Sequence, residues 1–527
     1  MPALLTRREM IRTSAGAMAG LAVGIRASAE VAARPPAATH PNILFLMVDE
    51  MRWDCLGCAG HPVVKTPNLD RLAQQGLRFA NSYSVAPVCC PARRSLFTGR
   101  YAHVHGVTQN GLPANDGEIL ITSILKHYDY TTAISGKLHF HPEGPDYDFD
   151  QFWSYANEGP RKLENYREFL FKKHGAKTPF PQKPGTCPWP EDPLGVDVGQ
   201  FAYPKEDFMS YWIADRAVDF LRSRQGAEKP WFLFTSFLIP HSPYTAPEPY
   251  YSMYDPKSFA VPPIPPENVA ARARLKGMEQ RHMIADEDLL RAVSAQYFGH
   301  CTNVDDNVGR ILSELDSLGM ADNTIVVFTA DHGNMLGDRG RMFKGIMYEG
   351  SSHVPHLMRA PKNAAYAAKF NTGRVIDEGV ESVDVMPTLL EMAGLPVPEQ
   401  GVQGKSLLQL AQGLDNNWKN RCFASQKGAM LRTSDYKLIV DGDTRELYDM
   451  RNDPKELHDL AKDPSKAELV ADYANRIEAW QQDRPAPVRI QGMSEPSYAR
   501  VDEATRRRLR EDIKRTGRRR AEWKPTE

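Results

Sequence analysis

The sequence has few cysteines and no excess of charge of either sign. Its 527 residues include seven cysteines, an odd and sparse set that excludes a scaffold held together by disulfides. Lysine plus arginine number 65 and aspartate plus glutamate 66, so no overall charge draws the chain to nucleic acid or to an anionic membrane. We therefore predict no nucleic-acid partner, and any ligand has to be inferred from a local site.

The sequence also lacks an N-terminal apolar run long enough to cross a bilayer. The small and apolar stretch at 14–25 is too short for that. It follows the pair Arg7-Arg8 and precedes Ala27-Ser28-Ala29, a cleavage pattern of small residues. The pair resembles a twin-arginine signal, which exports folded proteins. We predict that residues 1–29 are a removable signal and that the protein is periplasmic or secreted, without a membrane anchor. The alternative is a frayed basic N-terminus.

Continuous apolar runs of strand length occupy residues 42–48, 230–239 and 323–330. Such runs are typical of strands buried on both faces of a parallel sheet. Helical patterns at 66–76, 210–224 and 286–318 alternate with them. This alternation favours an α/β fold, and the alternating pattern after residue 429 predicts an antiparallel strand pair.

Each of the three apolar runs is followed by ionisable side chains, namely Asp49 and Glu50, then His241, then Asp331 and His332. The carboxyl ends of parallel strands lie at one edge of a sheet, where open α/β sheets bind ligands. An oxygen-rich set with one imidazole suits calcium or magnesium better than a thiolate-binding metal. The alternative for each residue is a loop side chain facing solvent.

Residues 88–100 contain Cys-x-Pro-x-Arg followed by Thr-Gly. The run from Cys89 to Gly99 predicts a short helix, because Pro91 fits the first helical turn and glycine is common after a helix. Cys89 and Arg93 then share a face, and free N–H groups at the helix start favour an anion beside the thiol. The alternative is a buried cysteine next to a surface arginine.

Lys137 and His139 lie two residues apart in a β-rich run at 131–140. On a strand, both side chains leave the same face. An ammonium and an imidazole together suit an anionic group and a proton transfer. An exposed strand end is the alternative. The proline-rich stretch at 142–205 has little periodicity and is predicted to form a lid or a substrate wall.

These motifs together resemble the sulfatase family over about residues 41–460. The likeness rests on Cys-x-Pro-x-Arg at 89–93, Gly-Lys-x-His at 136–139 and Asp-His-Gly at 331–333. Cys90 and Ala92 depart from the small hydroxyl residues that are more usual there. The resemblance implies an alkaline phosphatase-like α/β fold, with a large, mixed but mostly parallel sheet flanked by helices and a smaller C-terminal antiparallel-sheet subdomain.

The resemblance also implies the chemistry. In sulfatases a formylglycine-generating enzyme oxidises the signature cysteine, here Cys89, to 3-oxoalanine (formylglycine), whose hydrate attacks the sulfur of a sulfate monoester. Ca²⁺, or alternatively Mg²⁺ or Mn²⁺, is the implied cofactor. Its implied ligands are Asp49, Glu50, Cys89, Asp331 and His332. The implied catalytic residues are Cys89, Arg93, Lys137, His139, His241 and Lys344, and the implied substrate-binding residues are Asn110, Lys137, His241 and Lys344. Glu50 is a departure from the family pattern, and His332 contacts either the metal or the sulfate.

We predict that the chain has four segments. They are the signal at 1–29, a catalytic domain at 41–410 with an insertion at 142–205, a C-terminal α+β subdomain at 411–484, and a basic tail at 485–527. The favoured function is hydrolysis of a sulfate monoester, with a sulfated small molecule or saccharide as substrate. One alternative is a hydrolase of phosphonate monoesters or phosphodiesters. The other is an inactive sulfate-ester binding protein in which Cys89 is never oxidised.

Overall fold

The computed structural model describes residues 40–143, 145–155, 165–183, 198–265, 268, 286–415 and 417–516. The predicted signal at 1–29, Cys187, parts of the predicted insertion and the end of the basic tail lie outside these residues. The segment boundaries predicted from the sequence therefore stay predictions, as does export.

A nine-stranded sheet forms the centre of the described chain. Its neighbouring strands follow the order β11-β2-β10-β8-β1-β6-β3-β4, and β9 pairs with β2. The strands of this sheet are β1 (Asn42–Asp49), β2 (Leu77–Tyr83), β3 (Thr131–Gly136), β4 (Gln151–Ser154), β6 (Trp231–Pro240), β8 (Thr324–Ala330), β9 (His353–Val354), β10 (His356–Arg359) and β11 (Arg374–Glu381). A two-stranded pair joins β5 (Gly199–Gln200) to β7 (Thr245–Ala246). Only the pairs made by β9 and β10 in the large sheet are antiparallel, so the sheet is mixed but mostly parallel, as predicted.

Most of the described α-helices flank this sheet or connect its strands. The described α-helices are α1 (Pro67–Gln75), α2 (Cys89–Thr98), α3 (Ala102–His105), α4 (Ile121–His127), α5 (Tyr166–His174), α6 (Met209–Ser223), α7 (Glu287–Ser317), α8 (Glu349–Ser352), α9 (Ala367–Phe370), α10 (Val385–Met392), α11 (Leu408–Ala411), α12 (Ala467–Gln482) and α13 (Glu503–Thr516). Short 3₁₀ turns lie at Gly57–Ala59, Lys205–Asp207, Pro256–Ser258, Ala321–Asn323, Asp338–Gly340, Ser382–Asp384, Pro464–Lys466 and Ser497–Ala499.

Strand β1 is buried on both faces, which explains its continuous apolar sequence. Leu44 and Val48 point to one face and pack in a cluster that includes side chains of α1, α6 and α7. Phe45 and Met47 point to the other face and pack with side chains of α2, α4 and α10. The sheet is therefore the middle of three layers, and the two core layers lie between it and the helices.

A smaller antiparallel sheet follows, formed by β12 (Cys422–Ser425), β13 (Ala429–Arg432), β14 (Tyr436–Asp441) and β15 (Thr444–Asp449) in that order. Helix α12 covers one face of this sheet. Trp480 of α12 stacks on Phe423 of β12, with the ring centroids 4.9 Å apart. This confirms the predicted C-terminal antiparallel-sheet unit.

A buried charge cluster joins the small sheet to the large one. Lys437 of β14 has a fully buried side chain, and its Nζ lies 2.9 Å from Glu349 Oε1 and 2.7 Å from Glu456 Oε1. Glu349 opens α8, and its other carboxylate oxygen accepts a hydrogen bond from the Tyr83 hydroxyl of β2 at 3.0 Å. Lys437 thus forms ion pairs with acids from two parts of the fold, and Glu349 also pairs with His353 Nδ1 at 2.9 Å.

The predicted positions of β1, β6 and β8 are confirmed to within one residue. The predicted strand at 131–140 is too long, because β3 ends at Gly136. Gly136 has a φ of 110°, and a Cβ there would lie 2.0 Å from the Ser236 carbonyl oxygen. The argument that placed Lys137 and His139 on one strand face is therefore wrong.

The prediction of an irregular segment at 142–205 is also wrong in part. Gln151–Ser154 forms β4, an edge strand of the large sheet, and Tyr166–His174 forms α5. No disulfide bond joins the six cysteines among the described residues. Within the same residues, no helix has both the length and the apolar character needed to cross a membrane.

We expect Lys437→Met to lower the free energy of unfolding by about 3–5 kcal/mol, because it leaves the buried Glu456 carboxyl without its paired lysine and removes one cationic partner of Glu349. Chemical denaturation monitored by circular dichroism measures the change. The control is Arg451→Ala, which removes an exposed ion pair with Asp435 and should cost about 0–1 kcal/mol. Equal losses in the two variants would contradict the structural role given to Lys437.

Candidate active site

Four adjacent parallel strands deliver polar side chains to one edge of the large sheet. In the order β8, β1, β6 and β3, their carboxyl ends lead to Asp331, Asp49, His241 and Lys137. Asp49 and Asp331 are buried, and Glu50 N donates a hydrogen bond to Asp331 Oδ1 at 3.1 Å. The convergence expected from the strand ends is therefore present in the fold.

Cys89 enters this edge from the first residue of α2. The helix begins after Val88 and ends before Gly99, whose φ of 65° is the left-handed value that favours glycine. Cys89 is 1% exposed. Its Sγ lies 3.2 Å from His332 Nε2 and 3.7 Å from Asp49 Oδ1. The predicted helix start is confirmed, and it places the thiol beside the acidic strand ends.

Arg93 lies one helical turn after Cys89 and is fully buried. Its Nε donates to Asp331 Oδ2 at 2.8 Å, and its Nη2 donates to Asp49 Oδ2 at 3.3 Å. Its Nη1 donates to the Lys137 carbonyl at 2.6 Å and to Ser236 Oγ at 2.8 Å. The guanidinium therefore holds groups from β6 and from the ends of the other three strands in a fixed arrangement.

Asp49, Cys89, Asp331 and His332 could hold a metal ion. Their donor atoms all lie within 4.8 Å of one another, and all four residues are buried. Two carboxylates fit a hard divalent cation, because they supply the negative charge and oxygen donors that such an ion prefers. The donor set therefore fits a hard divalent cation such as Ca²⁺, Mg²⁺ or Mn²⁺, as the resemblance implies.

Glu50 lies at the side of this group and has partners of its own. Lys344 Nζ donates to Glu50 Oε2 at 2.8 Å, and Asn334 Nδ2 donates to Glu50 Oε1 at 2.9 Å. His241 Nε2 lies 3.3 Å from Glu50 Oε2. Glu50, Asp49 and His241 form a second possible set of metal ligands. The carboxylate oxygens of Glu50 can therefore either coordinate the cation or keep their contacts with Lys344 and His241.

Burial disfavours the charged form of Asp49, but Lys137 and Arg93 nearby hold the pKa of its carboxyl well below the usual range. Lys137 Nζ forms a direct ion pair with Asp49 Oδ2. Burial and Asp49 also oppose ionisation of the Cys89 thiol, yet Lys137, Lys344 and His332 lower its pKa below the ordinary value. The surrounding cations therefore favour negative charge at position 89.

The pKa values of Glu50 and the two imidazoles shift in different directions. Burial raises the pKa of Glu50 to about 7. For His332, burial is outweighed by Asp331, and the pKa rises to about 9. For His241, burial and the positive charge of Lys344 push the pKa well below its ordinary value. His241 is therefore neutral at neutral pH.

The sequence-predicted residues separate into two neighbouring groups. Lys137 lies in the buried cluster with Asp49, whereas His139 adopts a φ of 62° and turns toward Cys90 and His141. Asn110 lies on the same side, and its Oδ1 accepts a hydrogen bond from Cys90 N at 2.9 Å. It thus contacts the backbone of the residue after Cys89.

Sequence reasoning did not identify Ser236 and Asn334. Ser236 bonds Arg93 from inside β6, and with Thr235 it interrupts an otherwise apolar buried strand, which was a usable signal. Asn334 bonds Glu50 Oε1, and its Oδ1 accepts hydrogen bonds from Leu336 N and Phe343 N. Asn334 therefore orders the loop that leads to Lys344. Its sequence position, three residues after Asp331, did not indicate this role.

We expect saturating Ca²⁺ to stabilise the wild-type protein, by about 2.7 kcal/mol at a concentration 100 times the dissociation constant. Asp331→Asn should reduce this Ca²⁺-dependent increment strongly, because it removes a buried anionic oxygen donor. The measurement is thermal unfolding with and without Ca²⁺ in each variant. Asp435→Asn, on an exposed ion pair, is the control and should keep the full increment. An unchanged increment in Asp331→Asn would exclude Asp331 as a ligand.

Comparisons with known proteins agree with this arrangement. The family model described as Sulfatase matches residues 41–395, and a model described as N-sulphoglucosamine sulphohydrolase, C-terminal, matches residues 337–483. An arylsulfatase of Clostridium perfringens is 33% identical over 404 residues, which cover 72% of this chain and 80% of that protein. An ulvan-active sulfatase of Formosa agariphila is 30% identical over 389 residues, covering 72% of this chain and 66% of that protein.

Among solved structures, the phosphonate monoester hydrolase of Agrobacterium radiobacter superposes with a TM-score of 0.71 at 25% sequence identity. The match covers 85% of this chain and all of that one. The shared fold is consistent with the large mixed sheet and its ligand-binding edge. Because the family model spans most of the chain and includes Cys89 and the strand ends around it, this protein belongs to the sulfatase family, the hydrolases of sulfuric esters.

Proposed function

We propose that this enzyme hydrolyses a sulfate monoester by breaking the S–O bond, with Cys89 in its oxidised form as the nucleophile. The net reaction consumes one water and yields an alcohol and inorganic sulfate. The observation that carries the proposal is the position of Cys89 Sγ, 3.2 Å from His332 Nε2 and 3.7 Å from Asp49 Oδ1 in a buried cluster of acids and cations.

Two groups that the family implies would complete the site. Formylglycine at position 89 would supply a hydrated aldehyde with two hydroxyl groups, one to attack sulfur and one from which the aldehyde is regenerated when sulfate leaves. A divalent cation supplies positive charge against the sulfate oxygens. Asp49, Asp331, His332 and residue 89 would hold this cation, with Glu50 at its edge.

The chain's own cations would bind the sulfate. Lys137 and Lys344 both lower the pKa of Cys89, so their positive charges act at the point where the negative charge of the reacting group develops. Arg93 is a positioning residue, because its four hydrogen bonds go to protein groups. Asp331 is the proposed acceptor of the nucleophile's proton.

The leaving oxygen needs a proton, and the geometry supports Lys344 as its donor. His241 Nδ1 lies 2.6 Å from the Ser242 carbonyl oxygen, which only accepts, so this nitrogen carries the hydrogen. With a pKa well below the ordinary value, neutral His241 has no proton on Nε2. Lys344 has a raised pKa and therefore carries its proton. We assign His241 to sulfate binding and His139 to accepting the proton when sulfate is released.

For the substrate class we propose a sulfated saccharide, supported by the ulvan-active sulfatase that resembles this chain. Turnover of a panel of sulfated saccharides relative to an aryl sulfate tests this choice. The likeness to a phosphonate monoester hydrolase keeps phosphonate esters as the second candidate, because the same site suits any tetrahedral anion. Parallel assays with aryl sulfate and aryl phosphonate esters separate the two activities.

Replacement of Cys89 by alanine should abolish sulfate-ester turnover while the protein remains folded, because no other described side chain takes its place at the cluster. The assay is release of inorganic sulfate, with circular dichroism as the folding control. Mass spectrometry of the peptide that contains residue 89 should show a loss of about 18 Da, the difference between a thiol-bearing CH₂SH group and an aldehyde, as expected for this activated nucleophile. Turnover by folded Cys89→Ala, or an unmodified cysteine in active enzyme, would refute the assignment.

Replacement of Lys344 by methionine should slow hydrolysis of an alkyl or sugar sulfate by about 10²–10⁴-fold, the usual contribution of a general acid. The loss should be much smaller for 4-nitrophenyl sulfate, whose leaving group departs without a proton. The matched variant is His241→Gln, which should slow both substrates alike because it removes a binding contact only. If Lys344→Met slows both substrates equally, Lys344 binds sulfate but does not protonate the leaving group.

A further inference from the structure

A second cluster of metal-binding side chains lies beside the first turn of α2. Cys90, His139 and His141 offer ligand atoms that all lie within 4.8 Å of one another. Cys90 is 1% exposed, whereas both histidines are half-buried. None of these three residues belongs to the acidic cluster around Asp49. The sequence alone did not connect them, because Cys90 is about fifty positions from the two histidines.

The chemistry of this set differs from that of the neighbouring site. One sulfur and two imidazole nitrogens, with no carboxylate, suit a borderline-soft ion such as Zn²⁺ and not Ca²⁺. Around tetrahedral Zn²⁺, with Zn–S of about 2.3 Å and Zn–N of about 2.0–2.1 Å, donor atoms lie about 3.3–3.6 Å apart. Donors already within 4.8 Å need only small side-chain movements to reach that spacing.

The surrounding structure holds the donors in place. Asn110 Oδ1 accepts a hydrogen bond from Cys90 N at 2.9 Å and fixes the start of α2. His139 has a φ of 62°, a left-handed conformation that is uncommon outside glycine, and its ring centroid lies 5.8 Å from that of His141. Burial, with electrostatic contributions from the neighbouring His139 and Arg94, lowers the pKa of His141 to about 4. Its imidazole is therefore neutral, as a metal ligand must be.

The positive charge of Arg94 disfavours binding of a metal ion at this position, because Arg94 lies close enough to His141 to lower its pKa. Its guanidinium carbon lies 4.1 Å from the centroid of the Phe140 ring, so part of its charge is directed at that aromatic face. Binding of Zn²⁺ would release the Cys90 proton, and the resulting thiolate adds a negative charge that offsets Arg94.

We propose that Cys90, His139 and His141 form a second metal site, selective for Zn²⁺ over Ca²⁺, and that its occupation inhibits the enzyme by withdrawing His139 from the reaction. Binding at this site does not depend on the proposed mechanism. The inhibition does rest on the proposed function, since it requires His139 to act during turnover.

The first experiment measures binding without reference to activity. Co²⁺ is titrated into purified protein in excess Ca²⁺, and the near-ultraviolet absorption of a cobalt–thiolate bond is recorded. We expect this band in the wild type and in Cys89→Ala, and its loss in Cys90→Ser. His141→Asn removes a direct ligand and should weaken binding by at least the roughly 10- to 100-fold that loss of an outer-shell partner costs. A band that survives Cys90→Ser, or that disappears in Cys89→Ala, or no band in the wild type, would overturn the site.

The second experiment measures inhibition of sulfate-ester turnover by Zn²⁺ in excess Ca²⁺. Inhibition should be reversed by a zinc chelator, and the concentration for half-inhibition should rise by on the order of 10- to 100-fold in Cys90→Ser and in His141→Asn. If both variants lose the cobalt signal but keep the wild-type sensitivity to Zn²⁺, the inhibitory role is wrong although the site exists. An inactive wild-type protein with an intact cobalt signal would count against the proposed function and not against the site.

Discussion

The buried guanidinium of Arg93 is the interaction on which the arrangement of the active site depends. It donates hydrogen bonds to Asp331, Asp49, the Lys137 carbonyl and Ser236, which come from four neighbouring strands. A planar group with several fixed donors can satisfy so many acceptors at once, whereas a lysine cannot. Because Arg93 and Cys89 share one face of α2, the same contacts that order the strand ends also position the nucleophile.

This arrangement concentrates charge in a buried place, which is costly unless every charge has a partner. Asp49 forms ion pairs with Arg93 and Lys137, and Asp331 forms one with Arg93. Glu50 forms an ion pair with Lys344. Asp49 thereby stays ionised and Lys137 and Lys344 stay protonated, so the site holds both a cation-binding side and an anion-binding side a few ångströms apart. A sulfate ester needs both, since its oxygens are negative and its reacting sulfur has to be approached by an anion.

Much of this site could be predicted from the sequence because of one geometric rule. Continuous apolar runs identified β1, β6 and β8, and parallel strands end at a common edge, so Asp49, His241 and Asp331 were expected together. The rule fails where a strand ends early. Gly136 stops β3 against the Ser236 carbonyl, and His139 consequently turns away from Lys137 toward Cys90 and His141. That contact depends on how two loops pack, and periodicity carries no information about it.

The order of strands in the large sheet has a consequence for how the chain folds. β2, at residues 77–83, lies between β10 and β11, which the chain reaches only after residue 355. β2 can therefore pair with its neighbours only after most of the polypeptide has been synthesised. Contacts between residues so far apart in sequence form slowly. The topology thus makes completion of the large sheet a late event in folding, because the middle strand of one half of the sheet is made early and its two neighbours are made late.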